Sequence, residues 1–193
     1  MSGRVRLFGH ALHPMLIVFP LGLLTTAVVF DIIGLITGEL RWFEVAYFLI
    51  AAGIIGGLAA AVPGWIDWVA IPARTRAKRI GLVHGVGNVV VVGLFIVSWL
   101  LRRGAPAPPP TEAVVASMVA VGLALVTGWL GGELVERLGV GVHDGAHVNA
   151  PSSLSELPAS LNRAPAARWS GPDRRTVGTT AWPGIERRTA AVR

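Results

Sequence analysis

Four stretches of the chain are apolar almost without a break, and the polar residues are gathered between and after them. They run from about Pro14 to Ile36, Val45 to Trp68, Ile80 to Leu101 and Ala113 to Val135. Lipid offers a backbone no hydrogen-bond partner, so a crossing segment closes its own bonds as a helix. At about 1.5 Å per residue, roughly 20 residues cross a hydrocarbon core of about 30 Å. The pattern therefore predicts four membrane spans. The links, residues 37–44, 71–79 and 102–112, are short, and the last contains the G-A-P-A-P-P-P run that cannot extend a helix. Short links make sequence neighbours antiparallel, which gives an all-α, four-helix antiparallel membrane bundle over residues 1–142.

Ala52, Gly56, Ala60 and Gly64 fall at every fourth position of the second span, and Gly128 and Gly132 repeat that spacing in the fourth. Small residues so spaced let helix backbones approach closely, and they read as packing surfaces. No internal repeat is evident between the spans. Arg4 and Arg6 precede the first stretch as in a signal peptide. That stretch is long, contains Pro20 and passes Asp31 without an A-x-A site, so it is expected to be retained.

Composition agrees with a membrane protein. Of 193 residues, 53% belong to the apolar set and 15% are charged, where a soluble domain carries about a quarter; the mean hydropathy is +0.62. The absence of cysteine excludes a disulfide framework, a thiolate zinc site, a cysteine-ligated iron–sulfur cluster and a cysteine nucleophile in this chain. Of the charges near the spans, Arg4, Arg6, Arg74, Arg76, Lys78, Arg79 and Arg137 fall on one side and Arg41, Arg102 and Arg103 on the other. The positive-inside rule then puts both termini in the cytoplasm, for a protein of the plasma (inner) membrane. Residues 143–193 form a basic tail, rich in Pro, Ser, Ala and Arg from about Ala150, expected to be disordered. Seven arginines against three carboxylates after Pro151 give that tail a net +4, enough to hold it loosely against anionic lipid. No folded nucleic-acid module accompanies the charge, so nucleic acid is not expected as a partner.

Ionisable side chains in or beside spans are costly and mark candidate sites. The topology brings His13, Asp67, His84 and Glu133 to the cytoplasmic surface, and Asn88 shares a face with His84 one turn deeper. Each has a plain reading too. His13 precedes Pro14 and so reads as the residue just outside the first helix. Asp67 lies between Trp65 and Trp68 and is able to pair with the basic loop that follows, and Glu133 has Arg137 one turn on. Asp31 lies about 27 Å along an ideal helix from His13, so they do not share a site; it is read as a hydrogen-bonding group near the outer surface or a member of a transmembrane proton path. His10, His143 and His147 fall in the flanks, the last two in an H-D-G-A-H run with weak metal-like spacing.

Two histidines at similar depth on different helices are the arrangement that ligates a haem b, and Gly81 and Gly85 would leave room for a porphyrin. The same histidines with Asp67 also suit a quinone head group, a proton relay or a divalent ion. No nucleotide loop, nucleophile elbow or H-E-x-x-H motif is present.

The segments H-P-M-L-I-V-F-P-L-G-L (His13 to Leu23), P-G-W-I-D (Pro63 to Asp67), H-G-V-G-N (His84 to Asn88) and G-W-L-G-G-E-L-V-E-R-L-G-V-G-V (Gly128 to Val142), with Asp31, resemble the bacterial family of predicted four-helix membrane proteins known as domain of unknown function 2231. The resemblance covers about residues 10 to 142. It implies family positions at His13, Pro14, Phe19, Pro20, Asp31, Gly64, Asp67, His84, Asn88, Gly131, Gly132, Glu133 and Gly139. It also implies a redox association, because similar domains occur joined to Rieske-type or cytochrome-like modules; the redox partner here would be a separate protein.

Two functions are therefore compatible with the sequence. In one, His13 and His84 ligate a haem b or position a quinone, with Asp67, Asn88 and Glu133 around them. In the other, the chain is a non-enzymatic subunit of a membrane complex or a small transport unit, with homo-oligomers allowed.

Overall fold

A computed structural model of the chain describes residues 2–102, 108–155 and 157–161. Its helices are α1 (Leu12–Leu16), α2 (Val18–Thr37), α3 (Leu40–Ala70), α4 (Arg76–Arg102) and α5 (Thr111–Gly132), the last continued by a π-helical turn at Glu133–Arg137. Four spans, Leu12–Thr37, Leu40–Ala70, Arg76–Arg102 and Thr111–Arg137, have the length and hydropathy to cross a membrane. The protein is therefore a membrane protein, and the exposed Val, Leu, Ile and Phe side chains along its helices face lipid.

The first span is broken where the sequence demands it. Pro20 has no N–H to give the carbonyl of Leu16, and the helix is interrupted at Ile17. His13 lies inside the first turn of α1, with Ala11 as the capping residue, rather than just outside the helix. Ahead of it a two-residue ladder, β1 (Arg6–Leu7) against β2 (His10–Ala11), turns through Phe8 and Gly9, both at positive φ. Residues 143–161 form successive turns where described, and Ser153 Oγ donates to the Phe8 carbonyl at 3.3 Å. The arginine-rich remainder of the tail, 162–193, lies outside the described residues, as do Arg103 and residue 156.

The spans pack as two tight hairpins, α2 with α3 and α4 with α5, joined mainly through α3 against α4 and α2 against α5. Their shared core is Leu24, Ala27, Val28, Ala46, Ile50, Val91, Phe95 and Ala120, all apolar. This core separates a histidine end, where α1, α4 and the last turns of α3 and α5 meet, from a far end that holds Asp31 and Arg102.

The hairpins are structural repeats. Positions 71 residues apart play the same part in the first helix of each: His13 and His84 are half-buried at one end, Leu24 and Phe95 are buried, Ala27 and Ser98 are fully buried, and Asp31 and Arg102 are buried at the other end. In the second helix the offset is 67, and Ala46 matches Ala113, Ile50 matches Ser117, Gly53 matches Ala120 and Ala60 matches Thr127, all buried in both halves. The two hairpins run in the same sense through the bundle, so they are related by a pseudo-two-fold axis along the membrane normal. The spans thus do repeat, although residue types mask it: burial is shared where identity is not.

The small-residue stripes are only partly interfaces. A side chain on Gly53 would meet Leu24, on Gly56 would meet Phe19 and Pro20, and on Gly57 would meet Val92, so α3 is held close by those glycines. Ala52 is exposed, and so are Gly128 and Gly132, with nothing near them; in α5 the contact glycine is Gly131.

Candidate functional site

His13 sits on α1 and reaches α3, where its Nδ1–H donates to the Ala60 carbonyl at 2.8 Å. A carbonyl oxygen only accepts, so this bond fixes the proton on Nδ1 and leaves the neutral ring's Nε2 with its lone pair. Pro63, inside α3, has no N–H, so it leaves the carbonyl of Ala59, one residue before the acceptor, without its helical donor. The ring lies on Gly64, where a Cβ would stand 2.7 Å from Nδ1.

His84 repeats this arrangement in the second hairpin. Its Nδ1–H donates to the Thr127 carbonyl of α5 at 2.8 Å, and its ring lies on Gly131, where a Cβ would stand 3.2 Å from Cε1. Thr127 is the counterpart of Ala60 and Gly131 the counterpart of Gly64. Two histidines in one tautomer thus face the pseudo-two-fold axis from opposite hairpins, with ring centroids 6.4 Å apart and planes at 88°.

Asn88 belongs to this cluster. Its Nδ2 donates to the His84 carbonyl at 2.9 Å, and its Oδ1 accepts from Thr127 Oγ1 at 3.1 Å. The same Nδ2 stands 3.2 Å from Nε2 and 3.5 Å from Nδ1 of the His84 ring. An in-plane donor to Nε2 would be about 5 Å from Nδ1, so the amide lies over the ring face and leaves the in-plane Nε2 lone pair uncovered.

The other sequence candidates take different partners. Asp67 Oδ1 accepts from the backbone N–H of Arg4 at 2.5 Å and of Val5 at 3.4 Å, so it ties down the N-terminal segment rather than the basic loop or the histidines. Glu133 pairs with Arg76 at 2.6 Å across to α4, not with Arg137 along its own turn. Gly81 gives no room to a ligand, because a Cβ there would stand 2.8 Å from Trp68 Cδ1; Gly85 has nothing within 4 Å. Trp68 Nε1 donates to the Lys78 carbonyl at 3.1 Å, while Lys78 Nζ donates to the Trp68 carbonyl at 2.7 Å and lies 3.9 Å from the Trp68 ring centroid, which clamps the α3–α4 turn. His143 and His147 bond loop carbonyls, and among the described residues no group of three His, Asp or Glu side chains could share a metal ion.

At the far end lies a polar cluster of which the sequence revealed one member. Arg102 Nη1 and Nη2 donate to Asp31 Oδ1 and Oδ2 at 2.7 and 2.6 Å, a bidentate pair whose side chains are 4% and 0% exposed. Arg102 Nε donates to Ser98 Oγ at 3.2 Å and Nη2 to Ser117 Oγ at 3.3 Å. Ser98 Oγ and Ser117 Oγ both reach the Ala113 carbonyl. Arg102 reads in the sequence as an outer-loop charge, one residue past the third span. The available signals were its place at the same end as Asp31 and the serine one helical turn before it. The apolar core fills the space between this cluster and the histidines, so the two do not form a polar path.

A family model described as "Predicted membrane protein (DUF2231)" matches residues 9–144. No curated protein and no solved structure matches the chain.

Proposed function

The chain belongs to the DUF2231 family of predicted membrane proteins, and from that premise we propose that it is a redox-associated subunit of the plasma membrane. In this reading His13 and His84 hold one metal centre between the hairpins, a haem b iron in first preference, at the cytoplasmic face. The observation that carries the reading is the matched pair of imidazoles, each with Nδ1–H tied to a backbone carbonyl and Nε2 left as donor. Two equivalent donors about an axis favour a ligand that sits on the axis, which a single metal centre does and an asymmetric quinone head group does not. The two rings are also neighbours, with centroids 6.4 Å apart, so His13 and His84 are the residues that would hold such a centre. A haem held there would supply one-electron transfer.

Within this reading, Asn88 and Thr127 hold the His84 ring in place, and Ala60 holds His13. Asp67 and Glu133 act one step out, fastening the N-terminal segment and the start of α4 above the histidines. The electron donor or acceptor is a separate protein or a membrane quinone. The first test is an absorption spectrum of detergent-purified protein, oxidised and dithionite-reduced, with a pyridine haemochrome assay. A Soret band at about one haem per chain, lost in both His13→Ala and His84→Ala, is the expected result; colourless protein from haem-replete cells overturns it.

One observation favours a second reading. Each histidine's bond and glycine contact are complete in themselves, so the pair also serves as two interhelical pins in a non-enzymatic subunit of a membrane complex. In that case the alanine variants lower stability and alter no spectrum.

A further inference from the structure

We propose that the Asp31–Arg102 pair is a pairing code: it makes the first hairpin a partner for the second hairpin and rejects a second copy of itself. Nothing in this depends on what the histidines bind. Four apolar helices in lipid gain little selectivity from hydrophobic contact, because lipid tails are as apolar as the partner helix. The difficulty is acute here, since the hairpins repeat one another and the surface each offers is nearly the surface each accepts. A hairpin of one chain could meet the like hairpin of another about a true two-fold axis.

The charges forbid that. Asp31 and Arg102 occupy equivalent positions, 71 residues apart, and meet across the pseudo-two-fold axis. Two first hairpins so paired would bury carboxylate against carboxylate, and two second hairpins guanidinium against guanidinium. The mixed pairing alone gives a bidentate ion pair, and in low dielectric the difference between them is large. The second hairpin is also built for its charge. Where the first has Ala27 and Ile50, it has Ser98 and Ser117, all four fully buried, and both serines accept from Arg102. At this end of the bundle the polar departures from the repeat thus surround the guanidinium.

The chain lacks cysteine, which makes exchange of hairpins directly readable. A Cβ on Gly57 of the first hairpin would stand 3.2 Å from Val92 Cγ2 of the second. Two differently tagged full-length chains are co-expressed, one carrying Gly57→Cys and the other Val92→Cys, and interchain disulfide is quantified after mild oxidation. With no other change, pairing stays within each chain and the crosslink is at background. When the first chain also carries Asp31→Arg and the second Arg102→Asp, neither can pair its own hairpins, but each satisfies the other. The crosslinked dimer should then rise at least about tenfold, while each reversal alone gives poorly folded protein. A doubly neutral variant, Asp31→Leu with Arg102→Met in both chains, guards against simple misfolding: it should fold and give more interchain crosslink than the chains that keep the native pair. Equal crosslinking with and without the reversals, or a neutral variant that crosslinks no more than the chains with the native pair, overturns the proposal.

Discussion

His13 is closed against Gly64: a Cβ at that glycine would stand 2.7 Å from the ring nitrogen that bonds Ala60. Gly64→Ala therefore either pushes the imidazole off its carbonyl or moves α1 away from α3. An overpacked contact of this kind costs about 1–3 kcal/mol, and thermal unfolding in detergent will show it. Gly131→Ala, where the clearance from His84 is 3.2 Å, should cost less.

The two glycines flanking Gly131 behave oppositely. A Cβ on Gly128 or on Gly132 meets nothing within 4 Å, so alanine there adds no clash and raises helix propensity. Gly128→Ala and Gly132→Ala should leave stability unchanged or raise it by up to about 1 kcal/mol. A loss from either, in the same unfolding assay, would put those glycines at an interface.

Removing one partner of the far-end ion pair strands the other in an apolar core. Asp31→Leu alone or Arg102→Met alone should cost about 3–5 kcal/mol, and the two together clearly less than the sum, since no charge is then left unpaired. The double-mutant cycle measures the difference, and strict additivity would mean that the pair is hydrated.

Asp67→Ala removes the acceptor of the Arg4 and Val5 amides. The expected effect is local: faster amide exchange over residues 4–11 and a small loss of stability, about 1 kcal/mol. Unchanged exchange there would show that the β1–β2 ladder holds without the carboxylate.

The four spans and their order were legible because lipid imposes one rule, about 20 apolar residues closing their own hydrogen bonds, and each span obeys it. The approach of His13 to His84 was legible for the same reason, as topology alone brings the two to one end. Their partners were not. Ala60 and Thr127 offer backbone carbonyls, and no side-chain pattern announces a carbonyl. Asp67 and Glu133 were placed at the right end, but which neighbour a carboxylate takes depends on helix rotation, which spacing leaves open. Arg102 reads as a loop charge because hydropathy ends a span at the first arginine, whereas a buried arginine with a carboxylate and two hydroxyls around it continues one. The repeat is not legible in the sequence because the two halves share where side chains are buried, not which side chains they are.

The layer of Leu24, Ile50, Val91, Phe95 and Ala120 has an electrical meaning. Packed from apolar side chains between two polar ends, it has the character of the dielectric of a small capacitor, over which most of a membrane voltage would fall. Driving a unit charge through it against 100 mV takes about 2.3 kcal/mol before any cost of dehydration. A proton or hydrated ion at the histidine end would therefore find no polar side chain in this layer to carry it across.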